Sequence, residues 1–158
     1  KVPVEMLKSK FAYTVDGGHI GELESECFNA FRSDITFKGI SSHTDSARAN
    51  GMVNAISMAS NFVQNLPRHE SPETTDLRRG FYCPMKISGT MDEAQVSLYL
   101  RDFDIENMQK RKSLVEQLAS ATASSFGGKA TVTHIQQYLN MNDTIEKFPF
   151  VNQVLVEA

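Results

Sequence analysis

The chain has 158 residues, 41% of them apolar and 22% charged, which fits one ordinary globular domain with its own core. Its net charge of −3 offers none of the basic stripe that nucleic acid or an anionic membrane needs, so small ligands and other proteins are the expected partners. The two cysteines, Cys27 and Cys83, are too few for a secreted disulfide framework and too far apart for a metal ribbon or a redox pair. They read as buried reduced thiols in strands of a cytoplasmic protein. No apolar run approaches the roughly 18–20 residues of a membrane span, and Lys1-Val-Pro-Val-Glu-Met6 lacks the features of a signal peptide.

Lys1 to Lys10 reads as a linker or short helix, followed by a β-rich run from Phe11 to Val15 that stops at Asp16-Gly17-Gly18. Asp16 is open to two readings at this point. Asp-Gly is a hairpin signal, and a carboxylate at a strand end followed by two glycines is also a way of presenting an acid to a metal or substrate. From Gly21 to Phe28, Glu22, Glu24 and Glu26 alternate with Leu23, Ser25 and Cys27. From Asp34 to Ile40, Ile35 and Phe37 alternate with Thr36 and Lys38. Both segments are expected to be half-buried antiparallel strands.

From Ser46 the period changes. Met52, Ile56 with Ala55, Ala59, Val63 with Phe62, and Leu66 fall at helical spacing up to Pro67. Arg68 to Gly80 is polar and turn-rich and reads as a loop. Phe81, Cys83, Met85 and Ile87 alternate, as do Val96, Leu98 and Leu100 after the turn Ser88-Gly-Thr-Met-Asp92, which makes a strand pair. Asp104 is placed to cap a second helix with an apolar face of Ile105, Met108, Leu114, Val115, Leu118 and Ala121, closed by Gly127-Gly128. A last strand runs from about Ala130 to Tyr138. From Asp34 onward the order strand, helix, strand, strand, helix, strand predicts an α+β, ferredoxin-like domain, a four-stranded antiparallel sheet with two helices on one face. The other face and an edge strand are left to be used. The chain begins without Met and ends in the apolar run Phe150-Val-Asn-Gln-Val-Leu-Val156, as a piece of something longer would.

A self-sufficient hydrolase needs a nucleophile with its base, or a metal with three or more ligands. His19, His43, His69 and His134 never form a close pair, and no nucleophile elbow, His-Glu-x-x-His or P-loop appears. Any catalysis therefore takes residues from elsewhere. His43 lies in Gly39-Ile-Ser-Ser-His-Thr-Asp-Ser46 between a strand and a helix, where an imidazole is either simply solvated or able to donate to a developing oxyanion. Arg101 ends the strand Val96-Ser-Leu-Tyr-Leu-Arg101. Its alternation sends Tyr99 and Arg101 to the open sheet face, where the guanidinium either pairs with Asp102 or Asp104 or captures a carboxylate. Lys110-Arg-Lys112 reads as a solvated helix face.

Taken together, these residues resemble the peptidase T family of tripeptide aminopeptidases, in the dizinc aminoacylase and carboxypeptidase superfamily. The resemblance is carried, in family order, by Ala12-Tyr-Thr-Val-Asp-Gly-Gly18, Gly21-Glu-Leu-Glu24, Phe28-Asn-Ala30, Gly51-Met-Val-Asn-Ala55, Glu70-Ser-Pro-Glu73, Gly80-Phe-Tyr82, Arg101-Asp-Phe-Asp104 and Tyr138-Leu-Asn-Met141. It implies the lid or dimerisation domain of such an enzyme over residues 19–141, with 1–18 as a flank from the catalytic domain and 142–158 as a return segment toward it. It implies a homodimer formed through the lid, and two zinc ions held in a domain outside this chain, with none bound stably here. By the same resemblance Asp16 is one metal ligand, His43 is the lid histidine that polarises the scissile carbonyl, and Arg101 grips the peptide's carboxylate. The chain departs from the family around His43, where His-Pro-Gly is usual. Here the sequence reads His43-Thr-Asp45, with one extra residue before Gly51. The alternative is a stand-alone ferredoxin-like interaction or ligand-binding module without catalysis, which the fold pattern alone supports equally.

Overall fold

Alternation in Asn29-Ala-Phe-Arg-Ser-Asp-Ile-Thr-Phe-Lys38 builds a strand, β1, that sends Phe31, Ser33, Ile35 and Phe37 to a buried face. The computed structural model describes residues 4–6, 8–15 and 17–157. Phe28–Asn140 forms one compact unit, and a smaller one is made of the residues up to Cys27 with those from Met141 onward. In the larger unit β1 is followed by α1 (Ala55–Gln64), β2 (Phe81–Gly89), β3 (Glu93–Asp102), α2 (Ile105–Phe126) and β4 (Lys129–Tyr138). The sheet order is β2-β3-β1-β4 with every pair antiparallel, the expected ferredoxin-like α+β arrangement.

Both helices lie on one face. Ile35 and Phe37 of β1 and Val96, Leu98 and Leu100 of β3 meet Met58, Ala59 and Phe62 of α1 and Met108, Val115 and Ala119 of α2 in one cluster. Each of the larger side chains contributes about 1.5–3 kcal/mol by leaving water. Asp104 caps α2 as expected, its side chain accepting from the Asn107 N–H at 2.7 Å, and Gly127 ends the helix in the left-handed region at φ 78°.

Several expectations are corrected. The α1 helix begins at Ala55, not near Ser46. Val53 is bridged to Ile40 by backbone hydrogen bonds of 2.8 and 2.9 Å, which holds Met52-Val53 out of the helix, and the Asn54 side chain then caps Ile56 and Ser57. The segments Phe11–Val15 and Gly21–Phe28 are not strands, because no neighbouring strand among the described residues pairs with them. β1 starts at Asn29, ahead of the expected Asp34. The buried Ser33 and the buried Ala30 on opposite faces break the apolar alternation that would have revealed it. In β2 a bulge at Met85 shifts the register, so Ile87 faces Val96 on the helix side and no longer follows Phe81 and Cys83. Cys27 precedes β1 outside any strand, and neither thiol is fully buried. On α2, Ile105, Leu114 and Ala121 are exposed, and the buried stripe is Met108, Val115, Ala119, Thr122 and Ala123.

The largest correction concerns Arg111, which is not on a solvated face. It lies at i+3 from Met108 and i−4 from Val115, so the helical period turns it inward. Its Nε donates to Asp102 at 2.7 Å, its Nη1 donates to Glu70, and its guanidinium stacks on the Tyr82 ring at 4.8 Å. The side chains of Arg111 and Asp102 are only 12% and 6% exposed. Asp102 also accepts from the Asp104 N–H at 3.0 Å, and a Cβ on Gly80 would collide with the Asp102 carboxylate.

The smaller unit contains α3 (Asn142–Ile145) and α4 (Phe150–Glu157). Phe11 packs edge-on against Tyr13 and Phe150, and the Tyr13 hydroxyl donates to the Val151 carbonyl at 2.6 Å.

Removing one member of a buried ion pair strands the other, at a cost of about 3–5 kcal/mol. Arg111→Ala is therefore expected to lower the stability of the larger unit by that order in urea titrations. Arg111→Met combined with Asp102→Leu should cost less than Arg111→Ala alone. A double variant as unstable as the single one would show that the cluster holds more than its own charges.

Candidate functional site

The open face of the sheet carries a row of cross-strand neighbours, Phe81, Arg101, Ala30 and Tyr138, reading from β2 through β3 and β1 to β4. Arg101 sits in this row as strand alternation requires. Its Nη1 donates to the Leu100 carbonyl at 2.8 Å and the Phe31 carbonyl at 3.2 Å. The guanidinium carbon lies 4.9 Å from the Tyr99 ring centroid and 5.8 Å from that of Tyr138, both within cation–π range. Among the described residues the Nε and Nη2 edge makes no hydrogen bond. That edge is the fork that matches a carboxylate. The two acids next to Arg101 in sequence are engaged elsewhere, Asp102 with Arg111 and Asp104 with the α2 N-terminus.

His43 stands in the loop between β1 and α1, its side chain 91% exposed, with Nδ1 3.6 Å from an Asp45 oxygen. The loop is braced from within. Asn50 Nδ2 donates to the hydroxyls of Ser42 at 2.8 Å and Ser46 at 3.2 Å, and the Ser46 N–H donates to the His43 carbonyl at 3.1 Å.

One chain does not bring His43 and Arg101 together. Arg101 faces Ala30 near the start of β1, while the His43 loop leaves from Lys38 at its other end, which faces Glu93. Eight residue steps along the strand separate those positions, about 26 Å at 3.3 Å per step. Asp16, the third expected site residue, lies outside the described residues. Among the described residues no three His, Cys, Asp or Glu side chains gather so as to hold a metal ion.

Two polar assemblies were not foreseen from the sequence. The Arg111 cluster could have been found, since Asp102 continues the inward alternation of Val96, Leu98 and Leu100 and so faces the helix stripe that holds Arg111. The second links three elements. His134 of β4 is 2.7 Å from the buried Ser33 hydroxyl through Nδ1 and 3.2 Å from Glu116 of α2 through Nε2. Ser33 is fully buried, so this arrangement offers no nucleophile to a substrate. Burial pushes the His134 imidazole below its usual range, Glu116 works in the other direction, and Lys112 adds to the lowering. Burial likewise pushes the Cys83 thiol up, away from the reactive range.

A family model described as "Peptidase dimerisation domain" matches residues 26–127. A peptidase T from Geobacillus kaustophilus is 38% identical over 159 aligned residues, covering all of this chain and 38% of that protein. One from Ligilactobacillus salivarius is 42% identical over 91% of this chain and 35% of its own length. The chain thus spans under two-fifths of these relatives. Among solved structures, an aminopeptidase PepT from Bacillus cereus superposes with a TM-score of 0.71 at 20% identity, over 86% of this chain and 37% of that one. A tripeptidase from Staphylococcus aureus gives 0.71 at 21% identity, over 88% and 37%. At these identities the superpositions establish the fold.

Because the folded pKa of His134 lies below the ordinary 6.5, the neutral ring contributes stability that is fully present above 6.5. That contribution is lost as pH falls through the lower folded value. Urea midpoints of the wild type should therefore drop more between pH 7 and 5 than those of His134→Gln. Parallel pH profiles would remove His134 as the cause.

Proposed function

The chain belongs to the peptidase dimerisation domain family, and from that premise we propose that it is the lid and dimerisation domain of a longer, zinc-dependent tripeptide aminopeptidase of the peptidase T kind. Arg101 carries this reading. It is a guanidinium braced on one nitrogen by two carbonyls and flanked by two tyrosines, with its bidentate edge open above the sheet. Such a group suits the C-terminal carboxylate of a short peptide. The relatedness to peptidases weighs against a stand-alone binding module.

His43 takes the part of the oxyanion donor. It is exposed, set on a braced loop, and able to present an imidazole N–H to a developing charge. The separation between the two sites makes dimerisation necessary to this scheme. A tripeptide spans about 10 Å when extended, far less than the strand length between the Arg101 and His43 ends of one sheet. One active site then draws Arg101 from its own lid and His43 from the partner's.

Of the two sheet edges, β2 is the better candidate for pairing. Its Met85 and Ile87 are 54% and 50% exposed, beside an α1 that exposes Ile56, whereas the β4 edge exposes Ile135 and Tyr138 among the polar Lys129, Thr131, Thr133, Gln136 and Gln137.

Among the described residues none gather into a zinc site. Asp16 supplies one carboxylate, zinc takes three or four protein ligands, and the described residues hold no cluster that completes the set. The ions and the catalytic base belong to a domain outside residues 1–158, of which 1–18 and 142–158 are the adjoining pieces around a lid of 19–141. Two cysteines without a disulfide fit a cytoplasmic enzyme.

In the full-length enzyme, His43→Ala is expected to lower kcat for a tripeptide about a hundredfold or more, the usual loss for one oxyanion donor, with an unchanged melting temperature. A kcat within a factor of a few of the wild type would take His43 out of the active site. The 158-residue chain with zinc and tripeptide should show no turnover above background.

The dimer is tested separately. Sedimentation of the chain should give a two-fold species that Met85→Lys with Ile87→Lys converts to monomer. A dimer that survives both lysines would move the interface away from β2.

A further inference from the structure

Tyr138 reaches the open face through an irregularity. Ala30 of β1 faces Tyr138 while the next residue, Phe31, faces Gln136, so Gln137 is an extra residue in β4. Without that bulge Gln137 would stand opposite Ala30. With it, the phenol ring lies in the same row as Arg101, separated from it only by Ala30. Ala30 is fully buried although it faces away from the helices, as expected of a small side chain covered from both sides. Its single methyl leaves room for the ring and the guanidinium to come within 5.8 Å across it, while Tyr99 flanks the same guanidinium at 4.9 Å.

We propose that Tyr138, aimed by the Gln137 bulge across Ala30, is a positioning residue that fixes the Arg101 guanidinium so that its Nε and Nη2 edge meets the substrate's carboxylate. A long arginine side chain at a strand end otherwise loses considerable rotamer freedom when it binds. The two carbonyls on Nη1 hold one point of the planar group, and two aromatic rings restrict its rotation about that point. The ligand therefore meets a guanidinium that is already oriented. This inference rests on the reading of Arg101 as the carboxylate anchor, and it assigns the ring face, rather than the phenol hydroxyl, as the working part of Tyr138.

The test uses the full-length enzyme with a tripeptide and with the same tripeptide amidated at its C-terminus. Tyr138→Ala should raise KM for the free acid about three- to tenfold, within the range of a single partly desolvated cation–π contact, with kcat changed less than about twofold. Tyr138→Phe, which keeps the ring, should retain the wild-type KM, and neither variant should alter KM for the amide. Arg101→Ala serves as the reference and should raise KM for the free acid by more than Tyr138→Ala does.

If Arg101→Ala raises KM and Tyr138→Ala does not, the positioning role is overturned and the carboxylate anchor stands. If Tyr138→Ala raises KM equally for acid and amide, its effect is structural and the proposal fails. If Arg101→Ala leaves both substrates unaffected, the anchor reading itself falls, and this inference with it. An independent readout comes from the 158-residue chain by NMR. The Arg101 side-chain N–H resonance should show the ring-current shift of an overlying aromatic in the wild type and in Tyr138→Phe, and should move in Tyr138→Ala. An unmoved resonance would count equally against the proposal.

Discussion

The guanidinium of Arg111 joins three segments that would otherwise meet only by packing. It closes on Asp102 at the end of β3 and on Glu70 ahead of β2, while lying over Tyr82 inside β2. Ions this poorly exposed are tolerable in a core only when each is paired and its remaining hydrogen-bonding groups are used. Asp102 meets that demand with a second bond from the Asp104 N–H, at the turn where β3 passes into α2. Gly80 is required beside it, because any larger residue would displace the carboxylate. The corner that holds Arg101 is thus rigid because its sequence neighbour is fixed on the opposite face of the same strand.

This cluster also gives a physical meaning to the pieces of sequence that carry the family resemblance. Glu70, Gly80, Tyr82, Asp102 and Asp104 belong to three separate short motifs in the chain and to one ion cluster in the fold. The chain's passage into and out of the larger unit is tied at the same corner. Asn29 Nδ2 and Asn140 Nδ2 both donate to the Phe103 carbonyl, and the Asn140 N–H donates to Asn29 Oδ1.

Strand and helix identities in the larger unit were legible because their apolar residues keep period. Ile35 and Phe37, Val96 to Leu100, and Ala59 with Phe62 announce their faces without reference to anything distant. What stayed hidden depended on partners. Alternation cannot reveal a bulge, so it puts Ile87 on the face of Phe81 and Cys83 and gives Tyr138 no special direction, and a buried Ser33 looks in sequence like a surface residue. Arg111 was misread because a basic triplet suggests water, although its position between Met108 and Val115 pointed inward. At the site, alternation gave the side of the sheet on which Arg101 stands. The open edge of its guanidinium and the tyrosines around it depend on contacts between three strands, which no local pattern contains.

The bridge between Ile40 and Val53 ties off residues 41–52 at their base before α1 begins. A loop closed in this way can change length with little effect on the domain beneath it, since even doubling a flexible loop adds only about 0.6 kcal/mol of closure entropy. A residue added or removed between His43 and Gly51 would therefore be cheap for the fold while changing how far the imidazole extends. The length of this segment is thus a setting for the position of His43 that is physically separable from the packing of the core.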